Sequence, residues 1–114
     1  MSETTVELDQ DWAAVKLLPH RTGLPRAVWI TENAGYPHDV RVKVSHLRSG
    51  RGAWPDAVSV AVRPTPQLVR PGRLPAADLQ LVKDWIELNR TPIIDFWDGK
   101  IDIYEVLPRL QKLP

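Results

Sequence analysis

The residues best suited to chemistry in this chain gather around one histidine, in Tyr36-Pro37-His38-Asp39, where an imidazole stands beside a carboxylate and an aromatic ring. Histidine titrates near neutrality and a carboxylate can orient it, so such a neighbourhood supports proton transfer. The other two histidines, His20 and His46, lie beside different turns, and no pair has the HxH or HxxxH spacing that fixes two imidazoles on one element. Asp39 and Asp56 are the acids that would have to join them in a metal site. Asp84, Glu87, Asp95, Asp98, Asp102 and Glu105 fall at exposed helical positions, caps and first turns, where carboxylates complement the helix dipole. No serine sits in a nucleophile elbow, GxGxxG and GxxxxGK[ST] are absent, and Gly50-Arg51-Gly52 is too short for a phosphate loop. Cysteine is absent altogether, which removes thiol catalysis, thiolate zinc sites and disulfides. On this basis no catalytic, cofactor-binding or metal-binding residue is nominated, and an enzyme centred on His38 and Asp39 ranks last of three readings.

Charge is distributed more informatively than the titratable groups are. Residues 21–73 hold nine Lys or Arg against three acids, whereas residues 1–20 hold one base and four acids, and residues 74–114 five bases and seven acids. Arg41 and Lys43 lie on one side of an alternating segment, and Arg48, Arg51 and Arg63 lie in adjoining loops. Together these five are the candidate contacts for a nucleic-acid backbone or an acidic partner. The plainer alternative is a solvated strand face screened by the acidic flanks. No zinc-finger spacing, RNP-type aromatic signature or helix-turn-helix accompanies the charge.

The elements that would position these residues follow from periodicity and punctuation. Trp12 to Leu18 and Ala27 to Thr31 are expected strands, and Asp39 to Ser45 is the clearest one, with Val40, Val42 and Val44 alternating with Arg41, Lys43 and Ser45. Ala57 to Val62 alternates in the same way, so an antiparallel pair with valines toward a core is expected. Arg63 to Pro75 is too proline-rich for a central strand and reads as a connector or an edge. Helix then takes over: Pro75 to Arg90 carries Ala77, Leu79, Leu81, Val82, Trp85, Ile86 and Leu88 on one broad arc. Thr91 and Pro92 predict an N-cap and N1 pair for a second helix that stops at Gly99. Asp102 and Glu105 predict a capping box for a third, with Pro108 limiting it to about two turns or kinking it. The alternation in residues 101–107 leaves strand open there. The predicted class is α+β, a small antiparallel sheet of three to four strands followed by two to three short helices packed on one face.

The expected organisation is a flexible acidic tail over residues 1–11 and one domain over residues 12–114, a length that can bury a modest core. Eleven prolines cut the chain into short pieces. Its five tryptophans are spread over those pieces, as expected if each supplies one large side chain to a common core. Hydrophobic content of 43% and charged content of 25% are those of a globular protein, and no apolar run approaches the roughly 20 residues of a membrane span. A cytoplasmic protein with no cofactor and no membrane association is the expectation.

Arg73-Leu74-Pro75 through Asp78-Leu79-Gln80-Leu81-Val82-Lys83-Asp84-Trp85-Ile86-Glu87-Leu88-Asn89, followed by Phe96-Trp97-Asp98-Gly99, is similar to the end of small bacterial domains of unknown function of the DUF4160-like kind. The likeness covers residues 73–102, with Trp85, Asn89 and Trp97 as its distinguishing positions and His38 resembling the family's Pro-His strand start. The family's second histidine is replaced here by Val40. The resemblance implies a sheet followed by a helical pair, and a toxin-antitoxin setting for some members. With it, the leading reading is a small non-enzymatic interaction module whose partner is a protein or a second copy of the chain. Nucleic-acid binding through the basic face is the alternative.

Overall fold

Period-two alternation builds the sheet, and the structure, a computed structural model, describes residues 14–72 and 74–114 of it. Strands β1 (Ala14–Leu17), β2 (Val28–Thr31), β3 (Arg41–Val44), β4 (Val58–Ala61) and β5 (Gln67–Leu68) form one antiparallel sheet in chain order. A one-turn helix α1 (Pro19–Thr22) follows β1, a 3-10 turn (Trp54–Asp56) precedes β4, and three helices close the chain: α2 (Ala76–Leu88), α3 (Arg90–Trp97) and α4 (Ile103–Arg109). The class is α+β, with strands and helices segregated along the sequence. Among the described residues no helix is long and apolar enough to cross a membrane.

The three to four strands predicted become five. The additional one, β5, lies within the proline-rich connector and pairs through only two residues, Leu68 with Val60 and Gln67 with Ala61. Pro64, Pro66 and Pro71 flank those residues without replacing them, so the edge keeps its ladder donors. The first strand begins at Ala14 within the described residues; Trp12 and the acidic tail expected over residues 1–11 lie outside them.

Register places Leu17, Val28 and Val44 in one row and Val15 with Ile30 and Val42 with Val60 in others, all on one face. That face packs in one cluster with Val82, Trp85, Ile86, Ile93, Phe96, Trp97 and Val106 from the three long helices. Burying such side chains is the main source of stability, at roughly 1.5–3 kcal/mol each. Trp85 and Trp97 join this core as expected, whereas Trp29 and Trp54, expected there too, lie outside it, and Trp12 lies outside the described residues.

Helix punctuation departs from expectation at one cap. The second helix starts at Arg90 with Asn89 as its N-cap, not at Thr91 and Pro92. Asn89 already gives its carbonyl to Ile93 N at 3.1 Å, which makes Pro92 a first-turn residue whose missing N–H is harmless. The predicted capping box is present: Asp102 Oδ1 accepts from Glu105 N and Glu105 Oε1 accepts from Asp102 N, both at 2.9 Å. It resolves residues 101–107 in favour of helix from Ile103, and α4 runs two turns with Pro108 in its last turn. After β1 the chain reverses through the helical turn α1, with Pro19 at its start. Gly23 ends it with φ of 81°, and the Leu113 carbonyl lies 2.9 Å from where a Cβ would stand.

Asn89 joins the helical layer to the end of the chain. It is fully buried; its Nδ2 donates to Trp85 O (3.0 Å) and Gln111 O (2.9 Å), and its Oδ1 accepts from Gln111 N (2.6 Å). Leu113 N donates to Thr22 O at 2.8 Å, so the C-terminal segment is tied at two points. Asn89→Leu strands two backbone groups of Gln111 and lowers stability by about 1–3 kcal/mol. Urea unfolding at constant slope reads that loss, and an unchanged midpoint rejects the role assigned to Asn89.

Candidate functional site

The alternation that buries Val42 and Val44 sends Arg41 and Lys43 to the opposite face of the sheet. Register sets Lys16 opposite Trp29, Trp29 opposite Lys43, and Lys43 opposite Ser59, a row crossing four strands. Trp29 belongs to this second face, outside the core cluster, yet is only 6% exposed. Trp54 covers it edge-on, with ring centroids 6.3 Å apart and planes at 88°. The Lys16 ammonium lies 5.5 Å from the Trp29 ring and donates to Gly52 O at 3.1 Å; the Lys43 ammonium lies 5.3 Å from the Trp54 ring. These are cation–π spacings.

Beside this aromatic pair runs a groove of about 330 Å³, walled by Arg41, Lys43, Ser59, Arg70 and Gly72 among others. Arg70 arrives because Val69 N donates to Ser59 O at 3.1 Å, continuing the β4–β5 ladder past Leu68. Burial pushes the Lys43 ammonium below its ordinary range, and the Arg41 and Arg70 guanidiniums push it further. Among the described residues no carboxylate pairs with Arg41, Lys43 or Arg70. Three cations of one sign around a half-open groove can take up an anion carrying several oxygens.

The five basic residues predicted from sequence separate in space. Arg41 and Lys43 line the groove. Arg48 instead pairs with Asp78 at 2.9 Å, alongside Arg26. Arg63 grips Asp39 with two bonds, Nε to Oδ2 at 2.8 Å and Nη2 to Oδ1 at 2.9 Å. Arg51 is exposed in the loop before Trp54 and is not in the groove wall. Arg70 and Trp54 were not nominated. Arg70 sits in a segment whose prolines mask its strand, and Trp54 reads as one more core tryptophan.

His38 and Asp39 are engaged elsewhere. The Asp39 carboxylate is held down to about 2 by the Arg63 hydrogen bonds and by the Val40 amide, and so is a poor base at neutral pH. His38 Nδ1 lies 2.7 Å from the Asp39 main-chain oxygen, to which its protonated form donates, and the ring lies near-parallel to those of Tyr36 and Trp97 at 5.1 and 5.8 Å. Among the described residues no three His, Asp or Glu side chains converge as a metal-ligand set. Carbon-detected NMR titration should find the Asp39 carboxyl at about 2, and Arg63→Gln should move it toward 3.8. Because the folded value is depressed, the pair's contribution to stability is present above 3.8 and is lost as pH falls toward 2. Both side chains are substantially exposed, so that contribution is under about 1 kcal/mol. An Asp39 midpoint unmoved by Arg63→Gln contradicts the pairing.

Comparison of the chain with family models, with curated proteins and with solved structures finds no match to any of them.

Proposed function

We propose that the uncovered sheet face binds single-stranded nucleic acid. The groove cations take phosphates, and Trp54, half-buried beside them, offers an indole edge and face to a base. The observation that carries this reading is the trio Arg41, Lys43 and Arg70, gathered in one groove whose wall holds no acidic residue. An arriving phosphate relieves the like-charge crowding that disfavours the charged form of Lys43. Single strands fit better than a duplex, because among the described residues no helix or β-ribbon projects from this face to enter a major groove, whereas stacking on an aromatic beside a basic track suits unpaired bases. An acidic protein segment is the second reading, since the same cations accept carboxylates.

Fluorescence anisotropy with a labelled oligothymidylate of about twelve nucleotides tests it, a length suited to a compact single-strand site. Saturable binding is expected, weakened by about thirtyfold or more in Arg41→Glu/Lys43→Glu/Arg70→Glu. Trp54→Ala should cost about tenfold through lost stacking. Arg51→Glu, outside the groove, changes affinity by less than about threefold. Binding retained in the triple variant, with its circular dichroism unchanged, rejects the site. Competition by polyglutamate at equal charge, with no preference for the oligonucleotide, gives the face to an acidic protein.

A further inference from the structure

The basic sheet face has a run of carboxylates tethered at its margin. Residues 1–13 carry Glu3, Glu7, Asp9 and Asp11 and no lysine or arginine. They lie outside the described residues, but the point where they join the sheet is described. Ala14, the first residue of β1, lines an open depression of about 260 Å³ together with Lys16, Trp29 and Trp54. Lys16 shares its row with Trp29 and Lys43, so β1 and Lys43 are two strand spacings apart, about 10 Å. An extended chain covers about 3.4 Å per residue, so Asp11, Asp9 and Glu7 reach about 10, 17 and 24 Å from Ala14. The groove of Arg41, Lys43 and Arg70 falls within that span. Its three cations have no carboxylate partner among the described residues, and their crowding disfavours the charged form of Lys43. A carboxylate on the same chain meets them at an effective concentration on the order of millimolar, so a weak attraction is enough to fill the groove.

We propose that residues 1–13 are the groove's own occupant: Glu7, Asp9 and Asp11 lie against Arg41, Lys43 and Arg70 in the free protein, and an incoming polyanion has to displace them. The contact is autoinhibitory. It lowers the apparent affinity for a strand by the fraction of molecules in which the groove is open. The inhibitory role rests on the nucleic-acid reading of this face, whereas the contact itself rests on charge and reach.

The chain has no cysteine, so Thr5→Cys places a nitroxide at one defined position in the full-length protein. With nitrogen-15 labelling, the nitroxide is expected to broaden the backbone amides of Lys43, Ser59 and Arg70 and the Trp54 indole N–H. That broadening is expected to weaken by about threefold or more in Glu7→Gln/Asp9→Asn/Asp11→Asn and at high salt. Without the nitroxide, the same triple variant is expected to bind oligothymidylate about fivefold or more tightly than the native chain. Asp84→Asn/Glu87→Gln/Asp98→Asn removes equal charge from exposed positions of the helical layer and is expected to change affinity by less than about twofold. An unchanged amide spectrum for the helical layer checks that each variant folds. No broadening at the groove, or broadening that neutralising the segment leaves unchanged, overturns the proposal. So do equal gains in affinity from the two triple variants, which would reflect net charge alone. Broadening that passes undiminished to nitrogen-15 chains mixed with nitroxide-bearing chains lacking the isotope also overturns it, because the occupant is then a second copy. If no variant binds oligothymidylate while neutralisation still removes the broadening, the contact within the chain is upheld and the nucleic-acid reading fails.

Discussion

Replacing Asp78 by leucine lowers stability by about 3–5 kcal/mol, the usual consequence of removing one member of a buried ion pair. Asp78 and Arg26 are only 6% and 5% exposed. Asp78 Oδ2 accepts from Arg26 Nε at 2.8 Å, and Arg26 Nη1 donates to His46 O at 2.7 Å. Asp78→Leu therefore leaves a guanidinium in the interior with only carbonyls around it. Arg48 touches the same oxygen at 2.9 Å, but its side chain is 62% exposed, and Arg48→Ala costs less than about 1 kcal/mol. The double change Asp78→Leu/Arg26→Met removes both charges and recovers most of the loss. Denaturant midpoints of the three variants measure this. Equal losses from Asp78→Leu and Arg48→Ala would show that Arg26 does not depend on Asp78. Asp78 fastens the first turn of α2 to the segment before β2 through Arg26 and to the loop after β3 through Arg48, using two of the arginines that make the middle of the chain look basic.

Gly52→Ala produces the second large effect, about 2–4 kcal/mol, and it reaches the basic face. Gly52 has φ of 106°, a conformation an alanine adopts only under strain of about 1–3 kcal/mol. The added Cβ also meets Ser45 Oγ, and that hydroxyl cannot simply swing away. It donates to Arg51 O at 2.8 Å and accepts from Leu47 N at 3.1 Å, which shapes the loop leading to Trp54. The Gly52 carbonyl in turn receives the Lys16 ammonium at 3.1 Å. The variant should lose stability and, where still folded, lose the Trp29 to Trp54 contact, seen as a changed near-ultraviolet circular dichroism signal. Ser45→Gly/Gly52→Ala removes the clash but keeps the strained φ, so it restores part of the stability. A Gly52→Ala protein as stable as the native chain refutes the close approach.

Local punctuation was legible because it needs only neighbours in sequence. The valine alternation, the turn glycines and the Asp102–Glu105 box each specify an element whose partners lie within a few residues, and each element is where they place it. The cap of α3 was misread because Thr91-Pro92 is a good start in isolation, while Asn89 is held by Gln111, twenty-two residues on. The same limit governs the site. The shared face of Arg41 and Lys43 was legible because their own strand's alternation sets their direction. The ion pairs of Arg48 and Arg63 were not legible, because the acids they meet, thirty and twenty-four residues away, become neighbours only through tertiary packing. Arg70 was missed for the converse reason: a two-residue edge strand, visible only once β4 is in place, brings it beside Lys43.

The salt dependence of oligothymidylate binding tests the central claim most directly. Arg41, Lys43 and Arg70 each neutralising one phosphate predict that the logarithm of the association constant falls against the logarithm of salt concentration with a slope of about −2. Reversing the three charges should abolish that slope together with the binding. A slope near zero for the native protein, or one unchanged in the triple variant, would contradict a phosphate-binding role for this face.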